Sequence, residues 1–309
     1  MSTGVLINAR AGAARSDPGF VERVTALLPP GHVRATWSHE EIGPALDAFR
    51  KLELDVLALV GGDGTVGGTL TQLLERWPAQ TRPAVALVPG GTVNTIAKAL
   101  GGGAEPEAYL RRLLSTGARE ESRRPLVRVR GEDGEVRSGM ILALGAAVRW
   151  LEMYYGDSAM GVRGAASVVG RVLASMSVGG ELARRVFAPV PVSVEVDDTR
   201  LDLERFTLLG ASSVRDVGLG FRPFHSAGNQ PDRFHFLASD AGAARLALEL
   251  PAFRLGLDPP RSCLQHYSAR RVSLGFPEPQ PWSIDADLHA PSRTLEVEAS
   301  EPLRFVLLP

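Results

Sequence analysis

The sequence predicts an α/β N-terminal domain built on a Rossmann-like parallel sheet, followed by a mainly antiparallel β-sandwich domain. Three observations support this. Strand and helix patterns alternate through the first 120 or so residues, the signature of βαβ units in a doubly wound sheet. The apolar run 56–60 is short, β-branched-rich and uninterrupted, as expected of a strand buried on both faces of such a sheet. Beyond Glu120, strand-like runs follow one another with frequent prolines, interrupted by helical material near 146–155 and 158–178.

The elements follow in order. Residues 5–8 read as a short strand, 18–28 as a helix, 33–36 as a strand and 40–52 as an amphipathic helix. The strand 56–60 precedes a helix over about 66–76, then come the strand 85–88 and helices over about 94–100 and 106–116. In the second half, 125–130 and 136–144 flank Gly-Glu-Asp-Gly, a hairpin turn. Further strands are expected at 190–196, 206–211, 233–238, 269–274, 295–299 and 303–308, with helices near 146–155 and 158–178. Prolines such as 277, 279 and 281 are expected in loops and edge strands.

A chain of 309 residues exceeds a usual single core, so two domains are expected, 1–122 and 123–299, with the tail 300–309 free to pack back on the first. Hydrophobic residues at 44% and charged residues at 22% suit a globular enzyme. A net charge of -1 gives no overall field for nucleic acid. The single Cys263 excludes an intramolecular disulfide and is consistent with a reducing compartment. The start carries no apolar run long enough for a signal peptide, and no stretch approaches the roughly 20 apolar residues of a membrane span. A cytoplasmic location, at most peripheral on a membrane, is the expectation.

Where the strand 56–60 ends, Gly61-Gly62-Asp63-Gly64-Thr65 begins. Its glycines admit backbone angles closed to other residues and close approach by a phosphate, although such a turn also serves as a plain strand-to-helix connection. Other segments bear on it. Asn8 to Gly12 follows the first strand, Thr36 ends the second, and Pro89-Gly90-Gly91-Thr92-Val93-Asn94-Thr95 follows the fourth and opens a helix. All lie at carboxyl ends of parallel strands, the edge where open α/β sheets bind ligands. Thr92 and Asn94 have two readings, phosphate or ribose contact and simple helix capping. Neither G-x-x-x-x-G-K-[ST] nor G-x-G-x-x-G with a downstream acid is present, which argues against a P-loop or an ordinary dinucleotide site.

GGDGT at 61–65, PGGTVNTIAKALG at 89–101 and Asn8 at the end of the first strand together resemble the diacylglycerol kinase catalytic-domain family. That family includes bacterial lipid kinases and sphingosine and ceramide kinases, and is distantly related to NAD kinases. The resemblance continues through Leu144-Gly145-Ala146-Ala147-Val148, a small-residue turn into a helix. Asn229-Gln230-Pro231-Asp232 stands where bacterial members carry an Asp-Gly metal loop, and Asp285-Ala286-Asp287 where they carry Asp-Gly-Glu.

The resemblance implies an NAD kinase/diacylglycerol kinase-like fold and ATP and Mg2+ as cofactors, with the nucleotide bound between the two domains and a lipid hydroxyl as acceptor. By position, Asn8, Arg10, Gly12, Thr36, Gly61, Gly62, Asp63, Gly64, Thr65, Val66, Gly67, Gly91, Thr92 and Asn94 would surround the nucleotide. Asp63 would act near the phosphates and Asp287 would accept the hydroxyl proton, with Asp285 beside it. Asn229, Asp232 and Phe234 match a structural magnesium site. Partners implied are a lipid substrate and transient membrane contact; a homodimer stays open.

Departures from the family pattern are visible. Gly68 replaces a glutamate three residues past GGDGT, Thr95 an aspartate, Asp287 a glutamate, and Arg233 the glycine after Asp232. A catalytically weak nucleotide-binding or lipid-sensing relative is therefore a second reading, and a kinase of a soluble substrate, resembling NAD kinase, a third. The six histidines show no H-x-x-x-H spacing, so zinc is not expected, and His225 and His235 are read as packing or surface residues. The apolar segment 158–178, with Trp150, Met153, Tyr154 and Tyr155, either lines an acyl channel or is core. Arginines at 111, 112, 119, 123, 124, 128, 130, 184 and 185 either meet anionic headgroups or form a solvated face.

Overall fold

The computed structural model describes residues 2–91, 94–103, 105–115, 120–156, 162–177, 180–257 and 262–308. The chain forms two units, Met1–Arg124 with Glu301–Pro309, and Pro125–Ser300. The first opens with β1 (Thr3–Asn8), α1 (Gly12–Ser16), α2 (Phe20–Thr25), β2 (Val33–Thr36), α3 (Ile42–Arg50) and β3 (Val56–Gly61). It continues with α4 (Asp63–Arg76), β4 (Ala84–Pro89), α5 (Thr95–Ala99), α6 (Pro106–Ser115) and β5 (Glu120–Arg124). The second contains β6 (Val127–Arg130), β7 (Val136–Gly139), β8 (Ile141–Gly145), α7 (Ala146–Gly156), α8 (Val162–Ser177) and α9 (Glu181–Val186). Then come β9 (Val190–Pro191), β10 (Ser193–Val196), β11 (Thr199–Arg200), β12 (Arg205–Phe206), β13 (Leu208–Ser212) and β14 (Phe234–Ser239). This unit ends with α10 (Ala243–Leu255), β15 (Gln265–Ala269), β16 (Arg271–Ile284) and β17 (Asp287–Ala299), and β18 (Leu303–Leu307) belongs again to the first.

The first sheet has the order β2-β1-β3-β4-β18-β5, parallel as far as β18, with β5 antiparallel at the edge. β3 and β4 are buried throughout, as central parallel strands must be when helices cover both faces. On one face Val5, Ile7, Val56, Ala58, Ala86 and Val88 pack with Phe20 and Val24 of α2 and Leu110 and Leu113 of α6. Strand alternation turns Gly4, Leu57 and Leu59 to the other face, where a Cβ at Gly4 would lie 2.4 Å from Leu54 Cδ1 and 3.3 Å from the Phe49 ring of α3. The charged stretch at 120–124, read as a domain boundary, is the edge strand β5. An edge suits it, because every second residue can stay in water.

The second unit is antiparallel: a ten-stranded sheet ordered β15-β14-β13-β8-β16-β17-β6-β7, with β10 and β11 branching from β16, and a separate β9–β12 pair. One core takes residues from β6, β8, β10, β13, β14, β16 and β17, so the layers of the expected sandwich are a continuous sheet wrapped around a shared interior. β16 and β17 are long enough to run round it. Their register shifts between Gly275 and Gln280 and again before Trp282. Pro277, Pro279 and Pro281 sit in that irregular stretch, inside a strand rather than in loops, because a bulge needs no ladder donor there. Helix α10 has no counterpart among the predicted elements; Pro251 lies inside it and Leu248 is exposed.

Phe305 in β18 is fully buried and registers with Val85. Phe305→Ala should therefore lower the stability of the first unit by about 3–5 kcal/mol in urea unfolding of the full chain. An unchanged transition would place the tail outside the core.

Candidate active site

In the first unit, Asn8, Thr36, Gly61 and Pro89 close four adjacent parallel strands at one sheet edge. The loops beyond them are in backbone contact: Gly90 N–H donates to the Gly61 carbonyl at 3.0 Å, and Ala13 N–H to the Gly90 carbonyl at 3.0 Å. A Cβ at Gly91 would lie 2.5 Å from Gly62 Cα, so two chains pass where only glycine fits. The glycines thus serve loop packing as well as ligand approach.

Asp63 opens α4 and reaches across to α5. Its carboxylate accepts Thr95 N–H at 3.0 Å and Ile96 N–H at 3.1 Å, taking the orphan donors of a helix start. Burial raises its pKa, and these two amides oppose the rise. Asn94, the N-cap of α5, adopts a left-handed backbone and closes the second loop by exchanging two 2.7 Å hydrogen bonds with Gly91. Asn8 Nδ2 donates to Thr65 Oγ1 at 2.6 Å, and Asn8 Oδ1 accepts Arg10 N–H at 2.9 Å, which leaves the Arg10 side chain exposed at the edge.

The N-terminus of α4 is different. Gly62 is its N-cap, so among the described residues no N-cap side chain bonds the first-turn N–H groups. Gly64 is exposed in that turn, and Gly12 is half-buried beside Gly90. Thr36, Gly61, Val66 and Gly67 are buried, and Val66 N–H is already donated to the Gly62 carbonyl at 3.1 Å. They shape the rim from behind. Thr92 lies outside the described residues. At Gly68, where the family resemblance implies a glutamate, a Cβ would strike the His39 ring at 2.5 Å, so an imidazole covers that position. Neither His39 nor its approach to residue 68 was legible from the motifs, because the two are distant in sequence.

In the second unit, Asp285 and Ala286 form the two-residue turn between β16 and β17, both with positive φ, at 49° and 72°. The Asp285 carboxylate is buried and accepts Met140 N–H at 2.9 Å and Ile141 N–H at 2.8 Å. A Cβ at Gly139 would lie 2.3 Å from Asp285 Oδ2, so glycine makes room for this clamp. Tyr155 donates its hydroxyl to the Ala286 carbonyl at 2.9 Å. Asp287 is exposed. Of the two carboxylates, Asp285 holds the turn and Asp287 is presented by it. Tyr154 packs with Ala146, Val168, Val172 and Val186, with Trp150 and Met153 against them, so this part of the apolar segment is core.

The loop 229–234 does not offer a magnesium site in this arrangement. Asn229 Oδ1 accepts from Arg215 Nη2 at 2.8 Å, Asp232 is paired with Arg270, and Phe234 is buried at the start of β14. Guanidinium groups stand where a hard cation would need those oxygens. Next to the loop, His225, His235 and His266 come together, although the absence of H-x-x-x-H spacing had argued against zinc. His266 was missed because it enters from β15.

Residues 2–122 match the family model of the diacylglycerol kinase catalytic domain. Relatives named "Probable lipid kinase YegS-like" include one from Enterobacter sp. (strain 638), 35% identical over 83 residues, covering 26% of this chain and 27% of that protein. Another, from Klebsiella pneumoniae (strain 342), is 31% identical over 93 residues, covering 29% and 30%. The chain thus aligns with less than a third of the length of these relatives. A crystal structure of a "putative diacylglycerol kinase from Bacillus anthracis str. Sterne" aligns over 100% of this chain and 97% of its own, with a TM-score of 0.68 at 16% identity. That likeness establishes the fold of the whole chain.

Two outcomes follow from the geometry. Asp63→Ala should leave two N–H groups of α5 without an acceptor and destabilise the first unit by about 1–3 kcal/mol, read by chemical denaturation. Burial and the neighbouring imidazoles push the His235 pKa down to about 3 from 6.5. The unfolded chain therefore binds more protons between those values, so stability is fully present above pH 6.5 and is lost as pH falls towards 3. In chelator, the midpoint of thermal unfolding should fall through that window, and His235→Gln should flatten the dependence.

Proposed function

We propose that this protein is an ATP-dependent, magnesium-requiring lipid kinase that transfers the γ-phosphate to a lipid hydroxyl. The observation that carries the reading is the α4 N-terminus at the carboxyl edge of four parallel strands, within a segment that matches the diacylglycerol kinase catalytic domain. A helix start without a side-chain cap attracts phosphate through its N–H groups and its dipole. Gly62, Gly64 and Thr65 supply the approach, and the Arg10 guanidinium supplies a mobile positive charge. Asn8, Thr36, Gly91 and Asn94 shape the loops around the nucleotide.

Phosphoryl transfer to an alcohol asks for positioning and charge neutralisation rather than a covalent nucleophile. Each Asp63 oxygen accepts one amide and keeps further lone pairs, which suits a hard cation beside the phosphates. Bound with the nucleotide, magnesium would neutralise charge on the phosphate oxygens. Asp287 accepts the hydroxyl proton, and Asp285 fixes the turn that carries it. Diacylglycerol, a sphingoid base, ceramide and phosphatidylglycerol are the candidate acceptors. No helix among the described residues is long and apolar enough to cross a membrane, so access to lipid would come through transient peripheral contact from the cytoplasm.

A second reading, a catalytically weak nucleotide-binding relative, is favoured by the His39 ring over Gly68. Labelled ATP and a lipid panel separate the two. The kinase reading expects a phospholipid product, with kcat lowered at least about 100-fold by Asp287→Asn while ATP affinity is kept. No product from any lipid, with ATP still raising the thermal midpoint, selects the second reading.

A further inference from the structure

Strand pairing sets two histidines side by side. Leu237 of β14 faces His266 of β15 across the ladder, and His235 lies two residues from Leu237 on the same face, hence diagonal to His266. His225 enters from the connection between β13 and β14. The three rings are mutually edge to face, with centroids 4.6 Å, 4.8 Å and 4.9 Å apart and interplanar angles of 70°, 82° and 73°. One nitrogen from each lies within 4.8 Å of the others, and His235 Nε2 is 2.8 Å from His266 Nδ1. His235 is 1% exposed.

Packing alone gives no reason to gather three imidazoles, each with a nitrogen lone pair, around one point. A metal does. We propose that His225, His235 and His266 form a binding site for a divalent transition metal of the zinc class, with water completing a tetrahedron. Zinc–imidazole bonds of about 2.0–2.1 Å put tetrahedral nitrogens about 3.4 Å apart, within reach of the present spacing by small side-chain shifts. Ser226 sets both its N–H, donated to His235 Nδ1 at 3.2 Å, and its hydroxyl, 2.8 Å away, on that nitrogen; giving Nε2 to the metal moves the proton to Nδ1, which then turns to the hydroxyl and releases the amide. The N–H···N contact between His235 and His266 is then replaced by two metal bonds, and each imidazole binds neutral.

The site clips the connection 213–233 to the sheet. It lies in the same connection as the loop 229–232, whose oxygens are held by Arg215 and Arg270. Imidazole nitrogens select zinc, copper or nickel over magnesium, so the exchange of donor type changes the metal. This inference is independent of the kinase reading.

The full-length protein, stripped with chelator and dialysed, is titrated with Zn2+ and with Co2+. One Zn2+ per chain, a raised thermal midpoint and a strong tetrahedral Co2+ absorption band in the visible are expected. His225→Ala and His266→Ala should each weaken zinc binding at least about 100-fold, with far-UV circular dichroism showing retained fold. Unchanged zinc affinity in both folded variants overturns the site. Should the variants not fold, the wild-type protein decides: no stoichiometric binding, or an octahedral Co2+ spectrum, overturns it equally.

Discussion

The carboxyl edge of the first unit's sheet depends on one carboxylate. Asp63 starts α4, yet its hydrogen bonds go to the start of α5, so the loops after β3 and β4 are tied through a side chain as well as through their packed glycines. Asp63 caps α5, whereas the N-cap of α4, Gly62, provides no side-chain cap. The second unit repeats the device: Asp285 takes the amides of Met140 and Ile141, and the adjacent Asp287 is exposed. In both motifs an aspartate serves the main chain.

The departures from the family pattern take on physical meaning in this light. The carboxylate absent at residue 68 is not replaced by open space, since the His39 ring occupies the room that a side chain would need. The glycine absent after Asp232 is Arg233, whose guanidinium pairs with Asp197 at 2.6 Å, while Arg270 takes Asp232. Charge at that loop is balanced within the protein.

The parallel strands were legible because burial on both faces writes a continuous apolar run into the chain, as in 56–60. The convergence of Asn8, Thr36 and the two glycine loops followed from strand direction alone. Other features had no local signal. Helix α10 carries Pro251 and spreads its leucines round the axis, with Leu248 at 80% exposure, so it shows no apolar stripe. The prolines of β16 read as loop or edge-strand residues because a bulge is a property of a strand pair, not of one segment. The histidine cluster draws on two strands and a connection, and only pairing of β14 with β15 brings them together.

The last strand has a bearing on how the molecule is made. β18 lies between β4 and β5, so the segment 2–122 that matches the kinase family is not the whole of its own sheet. During synthesis from the N-terminus, residues 3–124 emerge with β5 lacking the strand it pairs with, while the second unit is complete once Ser300 is free. The unit that begins the chain is therefore the one whose sheet cannot be completed until β18 has been made, and until then β4 keeps one unpaired edge.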